Sequence, residues 1–348
     1  MSRGDGQNDR FSRLSLRVAI RLREIATNGR CPSILLAKAA GAHGYRYCLI
    51  TLLRRNLLCR GRRHTVGAAD GGSESSVNAA RLPASDTRRG YAGSMKVAAY
   101  QAPVLTLGSM DALYLIQDRI RWCESEGVSI LCCPEAILGG LADFSENPAR
   151  FAITTTSGEG EITSLLAPLA SETVTSIVGF TELAGERLYN SVAVLYRGRV
   201  IGLYRKLHPA IRRSIYSAGA STPVFRVAGL TFGIVICYDS TFREPAAAMA
   251  AQGARLLFVP TNNALLAARA NLGLVQEARA TDIARAVENR VWVIRADVAG
   301  ANGGLMSYGS SGIVDPTGRV VQEAALNCPD LLIADIVNLP GRLDSREC

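Results

Sequence analysis

The stretch Leu230–Gln252, LTFGIVICYDSTFREPAAAMAAQ, decides the fold class. Leu230–Ile236 is a short apolar run rich in Ile and Val, and reads as a buried strand. It stops at Cys237. Pro245–Gln252 then reads as a helix, and Leu256–Val259 as a second strand, so the segment is a strand–helix–strand unit. Upstream, Lys96–Gln101 and Val128–Pro134 read as buried strands on either side of a helix over Met110–Glu126. On that helix Leu113, Ile116, Ile120 and Cys123 fall on one face. Ile162–Ala170 reads as a helix and Ser176–Phe180 as a strand. Further on the pattern turns to hairpins: Ser191–Tyr196 and Val200–Tyr204 around Arg197-Gly198, and Gly312–Val314 and Val320–Glu323 around Asp315–Gly318. A long helix over Leu272–Asn289 and strands over Val291–Ala296 and Leu331–Val337 complete the pattern. Helices alternating with strands early and hairpins later predict a layered α/β sandwich, not a purely parallel doubly wound sheet.

The charge divides as sharply as the pattern. The chain has 348 residues and a net charge of +9, which by itself suggests a nucleic-acid partner. Residues 1–94 carry 17 Lys+Arg and 6 Asp+Glu, a net of +11. Residues 95–348 carry 22 and 24, a net of −2. The basic character therefore belongs to a leader over residues 1–94, rich in Gly, Ser, Ala and Arg towards its end and lacking the periodicity of a packed domain. Residues 11–26 have the pattern of a basic amphipathic helix. The leader reads as a targeting segment, as a nucleic-acid or membrane-surface arm, or as sequence upstream of a natural start at Met95. The last reading is adopted as the expectation, with residues 95–348 as one domain. The slightly acidic body and its lack of an RNA-binding aromatic motif argue against a nucleic-acid partner.

Other classes are excluded more directly. No apolar run reaches the ~18 residues that a membrane helix requires. Nine cysteines in a chain of this length are too sparse for a disulfide scaffold. There is no C-x-x-C pair and His208 is the sole histidine of the body, so a Cys/His zinc site is not expected. Reduced thiols suit a cytoplasmic protein.

Three predicted strands end on residues that carry chemistry: Glu135, Lys206 and Cys237. Lys206 stands out because the chain contains three lysines against 36 arginines. A compact, titratable ammonium is something Arg cannot mimic. A thiol, an acid and an amine suit covalent acyl transfer, with thiolate attack on a carbonyl or nitrile carbon and a cation on the oxyanion. Each has an ordinary alternative: Cys237 as a small core residue, Glu135 as a loop start, Lys206 as a surface lysine. His208 supports a rival scheme in which it serves Cys237 as base.

The segments KVAAYQAP (96–103), CCPEAILGG (132–140), YRKLHP (204–209), GIVICYDSTFREPA (233–246), ARAVENRVWVIRADVAG (284–300) and GSSGIVDPTGRVV (309–321) together resemble the nitrilase superfamily of carbon–nitrogen hydrolases, on its amidase/carbamoylase side. The resemblance spans residues 95–338 and none of 1–94. It implies a four-layer α-β-β-α sandwich, a Glu135–Lys206–Cys237 triad, no metal or organic cofactor, and a homodimer or higher homo-oligomer. The implied substrate is a small amide or N-carbamoyl compound, with Lys206 and the backbone N–H of Tyr238 holding the oxyanion. Cys237-Tyr238-Asp239 matches the amidase side; nitrilases usually follow the cysteine with Trp-Glu, so a nitrile is the alternative substrate.

Two departures stand out. Where relatives carry a second glutamate, counting back from Gly219 reaches Arg212. Arg212 or Arg213 binds a substrate carboxylate or closes a salt bridge, unless the pair is simply solvated. Where relatives acting on acidic substrates carry Arg four residues after the cysteine, this chain has Thr241, with Arg243 two further on. Thr261, Asn262 and Asn263 follow a strand, as candidates for the pocket rim or as ordinary turn residues.

Overall fold

The computed structural model describes residues 94–155, 159–210 and 214–336. Residues 1–93, including the helix expected at 11–26, and the pair Arg212 and Arg213 lie outside the described residues. Sixteen strands and four α-helices are described. The strands are β1 (Met95–Pro103), β2 (Val128–Cys132), β3 (Ile153–Thr154), β4 (Thr175–Ala184), β5 (Arg187–Tyr196), β6 (Arg199–Arg205), β7 (Val224–Val227), β8 (Leu230–Ile234), β9 (Leu256–Pro260), β10 (Leu265–Leu266), β11 (Trp292–Ala296), β12 (Val298–Asn302), β13 (Leu305–Ser307), β14 (Gly312–Val314), β15 (Val320–Glu323) and β16 (Asp330–Ile336). The helices are α1 (Ala112–Glu126), α2 (Glu159–Leu166), α3 (Arg243–Ala251) and α4 (Gly273–Asn289).

The strands form two sheets. One runs β10-β13-β12-β1-β2-β4-β5-β6, with β16 also on β1 and β3 on β4; the other runs β15-β14-β11-β9-β8-β7. Each mixes parallel and antiparallel pairs. β1, β2 and β4 are parallel, as are β8, β9 and β11, whereas β4, β5 and β6 are joined as hairpins.

Alternation along the strands builds the layers. Val97 and Ala99 of β1, Ile130 of β2 and Ile177 of β4 pack against Phe232 and Ile234 of β8, Phe258 of β9 and Val293 of β11, forming a core between the sheets. The intervening Ala98, Tyr100, Leu131 and Val178 turn outward, against Ile116, Ile120 and Cys123 of α1 and Leu166 of α2. On the other side, Met249 of α3 and Ala286 of α4 cover the second sheet. The chain is thus the expected α-β-β-α sandwich.

Local chemistry explains the boundaries. α1 buries Ala112, Ile116, Ile120 and Cys123, a helical stripe, and ends at Gly127, whose φ of 69° lets its N–H reach the carbonyls of Cys123 and Glu124. The β5–β6 hairpin turns on Arg197 (φ 48°) and Gly198 (φ 71°), a left-handed pair that matches strand twist. β2 ends at Cys132 and β8 at Ile234, three residues before Glu135 and Cys237 respectively, so both functional positions sit just past strand ends.

Candidate active site

Glu135, Lys206 and Cys237 converge at the carboxyl ends of β2, β6 and β8. The Glu135 side chain is 2% exposed and that of Lys206 is 5% exposed, and they form an ion pair with Nζ 2.5 Å from Oε1. Asn190 of β5 donates its Nδ2 to the same oxygen at 2.7 Å. The second oxygen accepts the backbone N–H of Asn262 at 3.0 Å. Asn262 also donates Nδ2 to the Glu135 carbonyl at 3.2 Å, and the Glu135 N–H reaches the Thr261 carbonyl at 3.3 Å. The carboxylate is therefore held by three donors on three different segments. Gly179 makes room for this loop: a Cβ there would stand 2.5 Å from Ala136 N and from Pro134 O.

Lys206 is fixed through its backbone, its N–H donating to Asn190 O and its carbonyl accepting from Gly219 N, both at 2.8 Å. Burial alone would depress its ammonium. The charge of Glu135 and its hydrogen bond more than offset this and hold its pKa above the usual lysine value, so Lys206 is a cation at neutral pH.

Cys237 heads a one-turn 3-10 helix, Cys237–Thr241, with φ of 46°. A left-handed conformation at a non-glycine residue costs about 1–2 kcal/mol, and persists where the surroundings over-determine it. Asp239 supplies that constraint. Its buried carboxylate accepts Tyr204 Oη (2.7 Å), Leu207 N (3.2 Å), His208 N (2.7 Å) and Ile236 N (3.3 Å), stitching the residues after Lys206 to the residue before Cys237. Ser240 Oγ donates to the Cys237 carbonyl at 2.7 Å. Burial pushes the Cys237 thiol up to about 12; Glu135 adds to the rise, while Lys206 and Arg295 oppose it. The thiol is neutral at rest.

Beneath the cysteine lies a second buried network. Arg295 of β11 pairs with Asp282 of α4 (Nη2–Oδ1 2.6 Å, Nε–Oδ2 2.9 Å) and also donates to Thr261 Oγ1 (2.7 Å) and Ser240 Oγ (3.1 Å). Thr261 is fully buried and its own hydroxyl donates to Val259 O. Asn263 Oδ1 lies 3.9 Å from Cys237 Sγ.

The structure thus brings together Glu135, Lys206, Cys237, Thr261, Asn262 and Asn263. The Tyr238 ring is exposed beside the cysteine and meets Phe242 edge-on, with centroids 5.3 Å apart. The His208 ring stacks on Phe242 at 3.8 Å. Arg212 lies outside the described residues. The sequence reading does not pick out Asn190, Asp282 and Arg295, and it names Asp239 only within the Cys237-Tyr238-Asp239 motif. One signal was available: an arginine inside the apolar run VWVIRA is expected to find a buried acid.

Comparison with known proteins gives a consistent result. The carbon-nitrogen hydrolase family profile matches residues 96–339. A protein named nitrilase from Pyrococcus abyssi is 33% identical over 221 residues, covering 62% of this chain and 80% of that protein. An (R)-stereoselective amidase from a Pseudomonas species is 32% identical over 209 residues, covering 59% and 72%. Among solved structures, an amidase variant from Nesterenkonia sp. AN1, with acrylamide added to its active-site cysteine, superposes with a TM-score of 0.59 at 25% identity, covering 71% of this chain and 93% of that one.

Proposed function

The chain belongs to the carbon-nitrogen hydrolase family, and from that premise we propose that Glu135, Lys206 and Cys237 cleave a small amide or N-carbamoyl compound through a thioester on Cys237. The observation that carries this reading is the buried Glu135–Lys206 pair, whose charges both act on the thiol of a strained cysteine.

A thiol held up near 12 is not a preformed thiolate, so its proton must leave as the sulfur attacks. Glu135 takes that proton. It is held by Lys206, Asn190 and Asn262, which fix its position without supplying a proton of their own to the carboxylate. The oxygen of the attacked carbonyl becomes an oxyanion, stabilised by the Lys206 ammonium and the backbone N–H of Tyr238. Glu135 then protonates the leaving nitrogen, ammonia or an amine departs, and the C–N bond is replaced by C–S. Water, deprotonated by Glu135, attacks the thioester; the C–S bond breaks and Cys237 recovers its proton. General acid–base assistance of this kind is worth about 10²–10⁴-fold.

The His208 scheme has less support: its ring is stacked on Phe242. The similarity to a protein named nitrilase favours a nitrile as the second reading. Ammonia release measured across small amides, carbamoyl compounds and nitriles decides between them. Turnover of nitriles but of no amide refutes the amide reading. Free Cys123, Cys132, Cys133 and Cys237 suit a reducing cytoplasmic setting, and among the described residues no helix is long and apolar enough to cross a membrane. A homodimer or higher assembly is proposed from the family resemblance, for light scattering to test.

A further inference from the structure

We infer that Asn263 is the residue that selects a substrate bearing an N–H, with Asp297 as the positioning residue that aims it; the inference rests on the amidase reading above and deepens it. Asp297 lies fully buried just beyond β11. Its carboxylate receives five donors: Asn263 N (3.0 Å) and Val298 N (2.8 Å) on Oδ1, and Asn263 Nδ2 (3.0 Å), Ser310 N (3.0 Å) and Ser310 Oγ (2.6 Å) on Oδ2. With both oxygens so occupied, the carboxylate acts as acceptor only.

That decides which way the Asn263 amide points. Ser310 spends its hydroxyl proton on Asp297, so its oxygen is free to accept Asn263 Nδ2 at 3.2 Å. Turning the amide over would set its oxygen against two acceptors, Asp297 Oδ2 and Ser310 Oγ. The network therefore directs Nδ2 away from the site and leaves Oδ1 facing Cys237 Sγ at 3.9 Å. A reacting carbon sits about 3–3.5 Å from its nucleophile, so this oxygen is within reach of a substituent on that carbon. Glu135 and Lys206 both donate or accept protons at the site, whereas Asn263 Oδ1 can only accept. It matches the NH₂ of a primary amide or carbamoyl group. A nitrile has no hydrogen to give it, and an ester presents a lone pair instead.

The test uses the first primary amide that the wild-type enzyme turns over, together with the nitrile and the methyl ester of the same acyl group. Asn263→Leu is expected to lower kcat/KM for the amide roughly 10- to 100-fold, the effect of leaving a buried donor unpaired, and to change the ester by much less, so that the amide-to-ester ratio collapses. Asp297→Asn, which lets the Asn263 amide turn, is expected to shift the ratio in the same direction by a smaller factor. Amide and ester falling together, or an unchanged ratio, overturns the inference while leaving the amidase reading standing. A wild-type enzyme inactive on every amide overturns that reading and this inference with it. A second measurement does not depend on those variants folding. In Cys237→Ala protein the amide is expected to bind at least about tenfold tighter than the matching nitrile, and equal affinities overturn the selection.

Discussion

Replacing Arg295 by Met isolates the network beneath the nucleophile. The Arg295 and Asp282 side chains are 3% and 1% exposed, and the pair is bidentate at 2.6 and 2.9 Å. Met fills much of the same volume but leaves Asp282 as a buried carboxylate whose remaining cation is Arg279 at 3.2 Å. Removing one partner of a buried pair costs about 3–5 kcal/mol, because the other charge stays uncompensated. The surviving Arg279 contact places this case at the lower end. At about 2–4 °C per kcal/mol for a domain of this size, Arg295→Met lowers Tm by roughly 6–15 °C. The double variant Asp282→Leu/Arg295→Met removes both charges and recovers most of the loss, giving a coupling energy of about 2 kcal/mol or more. Urea unfolding followed by circular dichroism on the four proteins completes the cycle. A single variant within about 1 kcal/mol of wild type, or a double variant as poor as the sum of the singles, would refute the reasoning. Activity per folded molecule falls even in the rescued double variant, because Thr261 and Ser240 lose the guanidinium that holds them under Glu135 and Cys237.

Four further outcomes are expected. Gly179→Ala forces a Cβ against the backbone of Pro134–Ala136, and displacing Glu135 by about 1 Å lowers kcat by about 10², with stability measured in parallel to separate the two effects. Glu135→Gln lowers kcat by about 10²–10⁴ in steady-state ammonia release, and Lys206→Arg also lowers kcat, despite keeping the positive charge, because a forked guanidinium does not fit the point contact with Glu135 Oε1. Burial of Glu182 would raise its pKa, but hydrogen bonds from Arg205, Ser191 and Thr155 outweigh burial and lower it. Its stabilisation is therefore fully present above the unfolded glutamate value of about 4.3 and is lost as pH falls through the folded value. Glu182→Gln accordingly flattens the loss of stability below about pH 4.3 in pH-dependent urea unfolding.

Much of this molecule is readable from local pattern. Ile116, Ile120 and Cys123 mark the buried face of α1, and the apolar strands mark the sandwich core, because burial imposes period and composition directly. The three strand ends carrying Glu135, Lys206 and Cys237 were visible for the same reason: each interrupts an apolar run with a reactive residue. Strands β3, β7, β10, β12 and β13 are not expected from the pattern. Val298–Asn302, VAGAN, has little strand propensity of its own and extends because it pairs with β1 and β13. The supporting shell was hidden for a different reason. Asp239 holding Tyr204, Arg295 holding Thr261, and Asp297 holding Asn263 and Ser310 join residues 13 to 35 positions apart, and no local period reports such pairings.

The proposed mechanism places the acyl group on Cys237. Intact-mass spectrometry of enzyme quenched during turnover of a small amide tests this directly, followed by peptide mapping. An added mass equal to the amide less ammonia is expected, confined to the peptide containing Cys237 and absent from Cys237→Ala. Turnover at the wild-type rate by Cys237→Ala, with no adduct on the wild-type protein, would contradict it.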